Sequence, residues 1–551
     1  MKVVVNLTRC QAYAQCAFLA PDVFRLRGVE ALLYDPQPDD AQRERVLRAA
    51  AACPVQAILV DRIDDPEATA TTGTVVSGRN MVRLGQPSRP ASPGGPYPWV
   101  ESVRRTGRIA IVGGSLAGLA AAATLRREGF TGTLTVIEDE PYPPYDRPPL
   151  SKQVLDGWVP VDHTGLPLRD DVDARWLLGV RATGLDLAAR QVLLANGGTV
   201  AYDRLLIATG TRARPWFNAE EATLDGVFVL RTRDDAASLY RRLADRPRRV
   251  LVIGGGFTGS EVASICRDRD LAVTVVERGA APLAGALGGV VGAVAADLHR
   301  EHGVDLRCGV TVRALEGDDD KRLRRAHLSD GSVIDVDVAV VALGAVRNVE
   351  WLYGSGLAVG EWGVGCDAGC RAFDANGLVT DDVFVAGDVA RFPHPLYDYQ
   401  FLALEHWGNA VAQAEIAAHN MVSTPRQRWP HVASPVFWSA QFSTNIKSVG
   451  VPTLADQVVI AQGSVADRRF VAAYGYRGRT IAAVGFNQAK WLEFYRGLIE
   501  NAAPFPPETC PGDRQPVPPE FPDHTARNLH ATVVVTGHDP SERRAELIHH
   551  R

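Results

Sequence analysis

Long apolar runs are missing from this 551-residue chain. No window approaches the roughly eighteen uncharged apolar residues that a membrane-spanning helix needs. The nearest, 282–298, is glycine-rich and carries Asp297. The first residues, Met1-Lys2-Val3-Val4-Val5-Asn6, lack the apolar core of a secretory signal, and Thr8-Arg9 interrupts what there is. A cytoplasmic protein is the expectation. Charge of one sign is also missing: 59 basic against 64 acidic side chains leave a net −5, so neither a nucleic-acid nor a membrane surface is expected. Cysteine is scarce. Eight residues are too few for a disulfide framework over this length, and none lies between Cys53 and Cys266.

What is present is the ordinary composition of globular proteins, 46% hydrophobic and 22% charged. At this length the chain should divide into about three or four domains. Residues 1–64 alternate apolar and polar at Val3 to Leu7, turn helical from Asp39 to Ala52, and close with a strand at Ala57 to Val60. The eight acidic and eight basic residues of this stretch cancel. From 65 to 106 the composition shifts to Thr, Ser, Gly and Pro, which reads as a flexible linker. Two strand-helix-strand patterns follow, Arg108 to Glu138 and Arg249 to Glu277. Each is echoed by a later strand-turn phrase, Leu205 to Gly210 and Ala339 to Gly344. The echo predicts two nucleotide-binding units, one nested in the other: 107–226 with 347–425, and 227–346. Residues 426–505 read as short strands and a closing helix, and 506–551 as a proline-rich tail without assigned role.

Cys10, Cys16 and the Cys53-Pro54 pair are spaced as iron–sulfur ligands, with Tyr13 where a middle cysteine would stand in the common bacterial run. A phenol is a poor substitute for a thiolate here, so three cysteines predict a 3Fe-4S cluster. A 4Fe-4S cluster with a non-cysteine fourth ligand is the alternative. The bland reading, three ordinary buried thiols, does not account for the spacing or for the following proline.

The second fingerprint, Gly254-Gly255-Gly256-Phe257-Thr258-Gly259, follows an apolar strand and opens a helix expected near Ser260. Its glycines allow a tight turn and close approach of backbone to a pyrophosphate at a helix N-terminus. Glu277, twenty-one residues after Gly256, can accept from a ribose 2′-hydroxyl, which favours NADH. The adjacent Arg278 keeps NADPH possible, since a guanidinium could hold a 2′-phosphate. The first fingerprint, Gly113-Gly114-Ser115-Leu116-Ala117-Gly118, has serine at the second obligatory glycine, and Glu138 ends the next strand.

The N-terminal segment resembles the small single-cluster ferredoxins that serve bacterial haem-thiolate monooxygenases. Cys16-Ala17-Phe18-Leu19-Ala20-Pro21-Asp22-Val23-Phe24 and Cys53-Pro54-Val55-Gln56-Ala57-Ile58 carry the likeness. From Arg108 to Ile499 the sequence resembles the ferredoxin, putidaredoxin and rubredoxin reductases, FAD enzymes related in fold to apoptosis-inducing factor. The carrying phrases are Pro144-Tyr145-Asp146-Arg147-Pro148-Pro149-Leu150-Ser151-Lys152, Ala208-Thr209-Gly210, Val385-Ala386-Gly387-Asp388-Val389-Ala390 and Glu405-His406-Trp407-Gly408-Asn409-Ala410. The resemblance implies an α/β chain: a small α+β ferredoxin domain, two Rossmann-like domains for FAD and NAD, and a C-terminal α+β domain. It implies FAD contacts from Arg147 and Lys152, a ribityl contact from Asp388, Trp407 and Glu405 near the flavin, and Gly344 on the nicotinamide side.

These readings combine into an expected NAD(P)H-dependent ferredoxin reductase fused to its own ferredoxin. It would deliver electrons from NADH through FAD and the cluster to an external acceptor such as a haem-thiolate monooxygenase. No acid-base triad is expected, because hydride transfer needs positioning. Forty-two linker residues would span roughly 36 Å and keep ferredoxin and flavin near each other without charge steering. Two other readings are an NADH-sensing flavoprotein of the apoptosis-inducing-factor kind and a nicotinamide-dependent disulfide reductase. The second lacks a cysteine pair in the usual place, and Cys366 and Cys370 sit in what reads as a variable loop.

Overall fold

The computed structural model describes residues 1–28, 30–62, 98–168 and 172–522, and the backbone of two further strands, Ala531–Thr536 and Arg544–His549. In the first 62 residues, strand Val3–Val5 pairs antiparallel with Ile58–Val60 and a hairpin joins Phe24–Arg27 to Ala31–Tyr34. Helix Arg43–Ala52 covers them, entered through a turn at which the Asp39 carboxylate accepts from the Ala41 amide at 2.8 Å. Val3, Val5, Phe24, Tyr34, Val46, Ala49 and Ile58 form the core. This helix ends at Cys53, which fixes one thiol opposite the loop that carries Cys10 and Cys16.

Two sheets follow, the second wholly parallel and the first parallel but for its antiparallel edge strand Arg371–Phe373. In the first, Arg108–Val112 lies between Arg204–Ile207 and Thr133–Glu138, with Arg175–Leu178 outside one and Val379–Val385 outside the other. In the second, Arg249–Ile253 lies between Val338–Val341 and Ala272–Glu277, flanked by Val227–Phe228 and Asp305–Cys308, all parallel. Their central strands are near-continuous Val, Ile, Leu and Ala because both faces are buried. The chain leaves the first sheet after Ile207, builds the second, and returns at Arg371. The second unit is therefore nested in the first. A five-stranded antiparallel sheet, Val436 to Phe486, and helix Leu492–Glu500 complete the reductase portion.

Three features differ from the sequence reading. Residues Pro98–Thr106, placed in the linker by composition, form a helix. Val100 is buried and the Arg104 guanidinium donates to the Val422 carbonyl at 2.8 Å; Glu101 in the first turn and Arg104 and Arg105 in the last suit the helix dipole. The rest of the expected linker, 65–97, lies outside the described residues. Next, the chain beyond 505 does not simply trail off. Val517 exchanges backbone hydrogen bonds of 2.7 and 2.9 Å with Val458, Pro519 accepts from the Gly289 amide at 2.7 Å, and Arg514 reaches the Ile460 carbonyl at 2.6 Å. Strands Ala531–Thr536 and Arg544–His549 pair antiparallel.

The third difference concerns the ferredoxin portion, which is docked on the reductase through specific contacts rather than held only by a tether. Arg27 pairs with Asp156 at 3.0 Å and Asp268 at 2.5 Å. The Gln153 amide donates to the Tyr34 carbonyl at 3.1 Å, the Ala489 amide to Glu30 at 2.9 Å, and the Lys2 ammonium to the Leu166 carbonyl at 3.2 Å. Balanced net charge had hidden this arrangement: the pairs are few and local.

Candidate functional site

The two fingerprints fold alike down to single contacts. Gly113 and Gly254 take φ of +109° and +106°, and a Cβ at either would meet the carbonyl of Ala208 at 2.1 Å or Ala342 at 2.5 Å. A Cβ at Gly118 or Gly259 would fall 2.0 Å from the Gly113 or Gly254 carbonyl, so these positions let helix pack on strand. The helices begin at Leu116 and Phe257, the latter a few residues ahead of the expected start. Glu138 accepts from the Gly114 amide at 2.5 Å, and Glu277 from the Gly255 and Gly279 amides at 2.7 and 2.6 Å. Both carboxylates are thereby fixed beside their turns.

One cavity of about 1250 Å³ spans both units. Its wall brings together Gly113, Ser115, Leu116, Ala117, Glu138, Arg147, Lys152, Ala208, Thr209, Gly210, Asp388, Glu405 and Trp407 from the first set of expected residues. Gly256, Phe257, Thr258 and Gly344 come from the second. Gly114, Gly118, Gly254, Gly259, Glu277 and Arg278 lie off that wall, and Arg278 is exposed. Arg147 is held by Glu140 at 2.7 Å and by the Arg231 carbonyl at 2.9 Å. Asp388 pairs with Arg231 at 2.8 Å, and Glu405 with Arg347 at 2.7 Å. Asn348 locks Thr209 by hydrogen bonds of 2.7 and 2.8 Å. On residues of this wall, His406 Nδ1 and Trp351 Nε1 are buried without a partner among the described residues, as expected where a ligand supplies one.

Sequence reasoning missed the groups that join the domains here. Lys152 donates to the buried Glu261 carboxylate at 2.7 Å, and Ser151 and Ser439 also donate to Glu261. Glu261 thus ties the loop after Arg147, the second fingerprint helix and the C-terminal sheet at one point. Removing one partner of such a buried pair costs about 3–5 kcal/mol. Lys152→Met should therefore lower the melting temperature markedly and slow flavin reduction by NADH. A melt within a degree of wild type would contradict the assignment.

Asp146 is the second missed residue. Its carboxylate accepts from Trp407 Nε1 at 2.9 Å and from the Tyr34 hydroxyl of the ferredoxin portion at 3.2 Å. Burial raises it to about 6, against which the two hydrogen bonds act. With a folded value above the unfolded one, its stabilising contribution is complete below roughly pH 4 and is lost as pH rises through 6. Asp146→Asn should gain about 1–3 kcal/mol at pH 8 and nothing at pH 4. Equal melting shifts at both pH values would sink this reading.

The cysteine site is separate. Cys10, Cys16 and Cys53 line a small void with Tyr13, closed by a loop in which Ala12 and Ala14 take positive φ. The Ala57 amide points at Cys53 Sγ, 3.3 Å away. Among the described residues no group of three His, Cys, Asp or Glu is arranged to hold a metal ion; Cys10, Cys16 and Cys53 share a void at the sequence spacing of cluster ligands. Burial raises Cys10 and lifts Cys16 to about 11, with the neighbouring cysteines adding to the shift. Tyr13 is 55% exposed. No cysteine lines the large cavity. Cys366 and Cys370 are fully buried, each directed at a backbone carbonyl 3.6 Å away, so no thiol is offered for disulfide chemistry there.

A nested pair of dinucleotide units around one cavity, with a cysteine-lined domain docked beside it, defines a flavin-dependent pyridine-nucleotide oxidoreductase joined to an iron–sulfur protein. Residues 107–414 match the family model described as pyridine nucleotide-disulphide oxidoreductase, and the chain belongs to that family. Residues 436–515 match a reductase C-terminal model, and 5–60 match the 4Fe-4S single cluster domain of ferredoxin I. Rhodocoxin reductase of Rhodococcus erythropolis is 34% identical over 73% of this chain and 91% of its own length. Putidaredoxin reductase of Pseudomonas putida is 33% identical over 70% of this chain and 91% of its own. The crystal structure of a covalent putidaredoxin reductase–putidaredoxin complex superposes with a TM-score of 0.68 at 29% identity, covering 73% of this chain and 94% of that one. The chain is accordingly a ferredoxin reductase with a fused ferredoxin domain, an FAD and NAD(P)H enzyme with an iron–sulfur site. Among the described residues no helix is long and apolar enough to cross a membrane.

Proposed function

We propose that this chain oxidises NADH and delivers its electrons one at a time, through its own docked ferredoxin, to an external acceptor such as a haem-thiolate monooxygenase. The observation that carries the reading is the continuity between cavity and cysteine loop. Trp407 and Trp438 both line the cavity with ring centroids 6.4 Å apart, edge to face. Gly408, next to Trp407, lies so close to Thr8 that a Cβ there would sit 2.8 Å from the threonine methyl. Thr8 lies two residues before Cys10.

When bound, FAD takes up the nicotinamide hydride and releases electrons singly, and the iron–sulfur cluster accepts them one by one. The chain's residues position these groups. Ser115 to Ala117 and Gly256 to Thr258 present helix N-terminal amides to the two pyrophosphates. Glu138 on the cavity wall and Glu277, fixed behind the second turn by the Gly255 and Gly279 amides, are the carboxylates assigned to the riboses; a carboxylate rather than a cation held at the second turn supports NADH. Arg147, Lys152 and Asp388 hold the flavin, with Trp407 beside it. Cys10, Cys16 and Cys53 ligate the cluster, and the exposed Tyr13 at the fourth position supports three irons.

Anaerobic stopped-flow mixing with NADH tests the internal route. Cluster reduction should follow flavin reduction with a rate independent of protein concentration, because donor and acceptor are docked in one chain. A rate proportional to concentration would show transfer between molecules and overturn the reading.

A further inference from the structure

Lys447 is among the largest fully buried side chains of the molecule, 2% exposed, on strand Thr444–Gly450 of the C-terminal sheet. A buried ammonium normally pairs with a carboxylate, since an uncompensated charge in the interior is strongly unfavourable. Lys447 has no such partner: among the described residues it makes no ion pair. Its one hydrogen bond among the described residues is to the backbone carbonyl of Cys10, at 2.8 Å, across the boundary between reductase and ferredoxin. The Glu30 and Glu493 carboxylates attract it through space and the Arg496 guanidinium opposes them, but none pairs with the ammonium; Glu30 instead accepts from the Ala489 amide at 2.9 Å. On the neighbouring strand Lys447 lies opposite Trp438, a wall residue of the large cavity.

Lys447 is a buried cation with no ion-pair partner among the described residues, anchored to the carbonyl of a cysteine facing the cluster void. It therefore stands beside the thiolate-ligated cluster, which gains a further negative charge on reduction. Net charge and hydrogen bonds around such clusters are main determinants of their potential. We propose that Lys447 supplies the cluster's counter-charge from the reductase, so that docking itself raises the reduction potential of the ferredoxin cluster and favours electron uptake from the flavin. Leaving the docked position would withdraw this charge and make the cluster a stronger donor. The inference rests on the assignment of Cys10, Cys16 and Cys53 as cluster ligands.

The test is an EPR-monitored redox titration of the full-length, cluster-loaded chain. Lys447→Met should shift the cluster midpoint downward by about 59 mV, a tenfold loss in the reduction equilibrium of a one-electron couple. Lys447→Arg, which keeps the charge, should titrate like wild type. An unchanged midpoint in Lys447→Met overturns the proposal, as does an equal downward shift in both variants, which would mark a packing effect. Should Lys447→Met fail to assemble, Arg27→Ala provides the second reading. Loosening the dock without touching the cysteine loop should lower the midpoint, and an unaltered value in a demonstrably undocked chain counts against it. Absence of any cluster signal in the wild-type protein would refute the ligand assignment instead.

Discussion

Cys16→Ala is expected to empty the N-terminal site of iron while leaving NADH reduction of the flavin intact. Cys16 is half-buried at the void shared with Cys10 and Cys53, and its ionisation responds to both. With three thiolates as the ligand set, loss of one leaves too few for a stable cluster. The parallel sheets and the cavity take no side chain from residue 16, so the flavin-binding portion should fold and bind as before. Delivery of electrons to a protein acceptor that draws on the cluster should fall by about a hundredfold or more. Iron analysis, the flavin spectrum and acceptor turnover on one preparation separate these effects. Full retention of iron would remove Cys16 from the ligand set.

Gly256→Val is the second large expected effect, because the protein has room for the side chain and the dinucleotide does not. Gly256 has φ −72°, which any residue adopts, and a Cβ there meets nothing within 4 Å. That empty space is cavity wall at the N-terminus of helix Phe257–Asp268. A valine should leave the melting temperature and flavin content unchanged and raise KM for NADH by about a hundredfold, roughly 2.7 kcal/mol of lost binding. Gly254→Val provides the contrast. At φ +106°, with a carbonyl 2.5 Å from any Cβ, it should damage folding itself. A normal KM in Gly256→Val would place the nicotinamide elsewhere.

Much of this was legible in the sequence for a physical reason. Tight strand-turn-helix units need glycine at fixed offsets, and cluster ligation needs thiolates at fixed offsets, so fingerprints such as Gly254 to Gly259 and Cys10 to Cys16 are local signals. Contacts made across the fold leave no such pattern. Asp146 and Lys152 stood within a recognisable phrase, but their partners Tyr34, Trp407 and Glu261 lie far away in the chain. Nothing local in the sequence marks Lys447, and only the docked geometry sets it buried against Cys10. The hairpin Phe24–Arg27 to Ala31–Tyr34 escaped notice because its turn is short and its strands number four residues each. The helix Pro98–Thr106 was hidden behind the composition of its neighbours.

The most direct test of the central claim is anaerobic EPR of the intact chain before and after addition of NADH. An oxidised three-iron cluster is paramagnetic and loses that signal on one-electron reduction. The account predicts a signal in the isolated protein that NADH abolishes as the flavin bleaches. Bleaching of the flavin with an unchanged cluster signal would contradict it, and the docked ferredoxin would then not be the reductase's own electron acceptor.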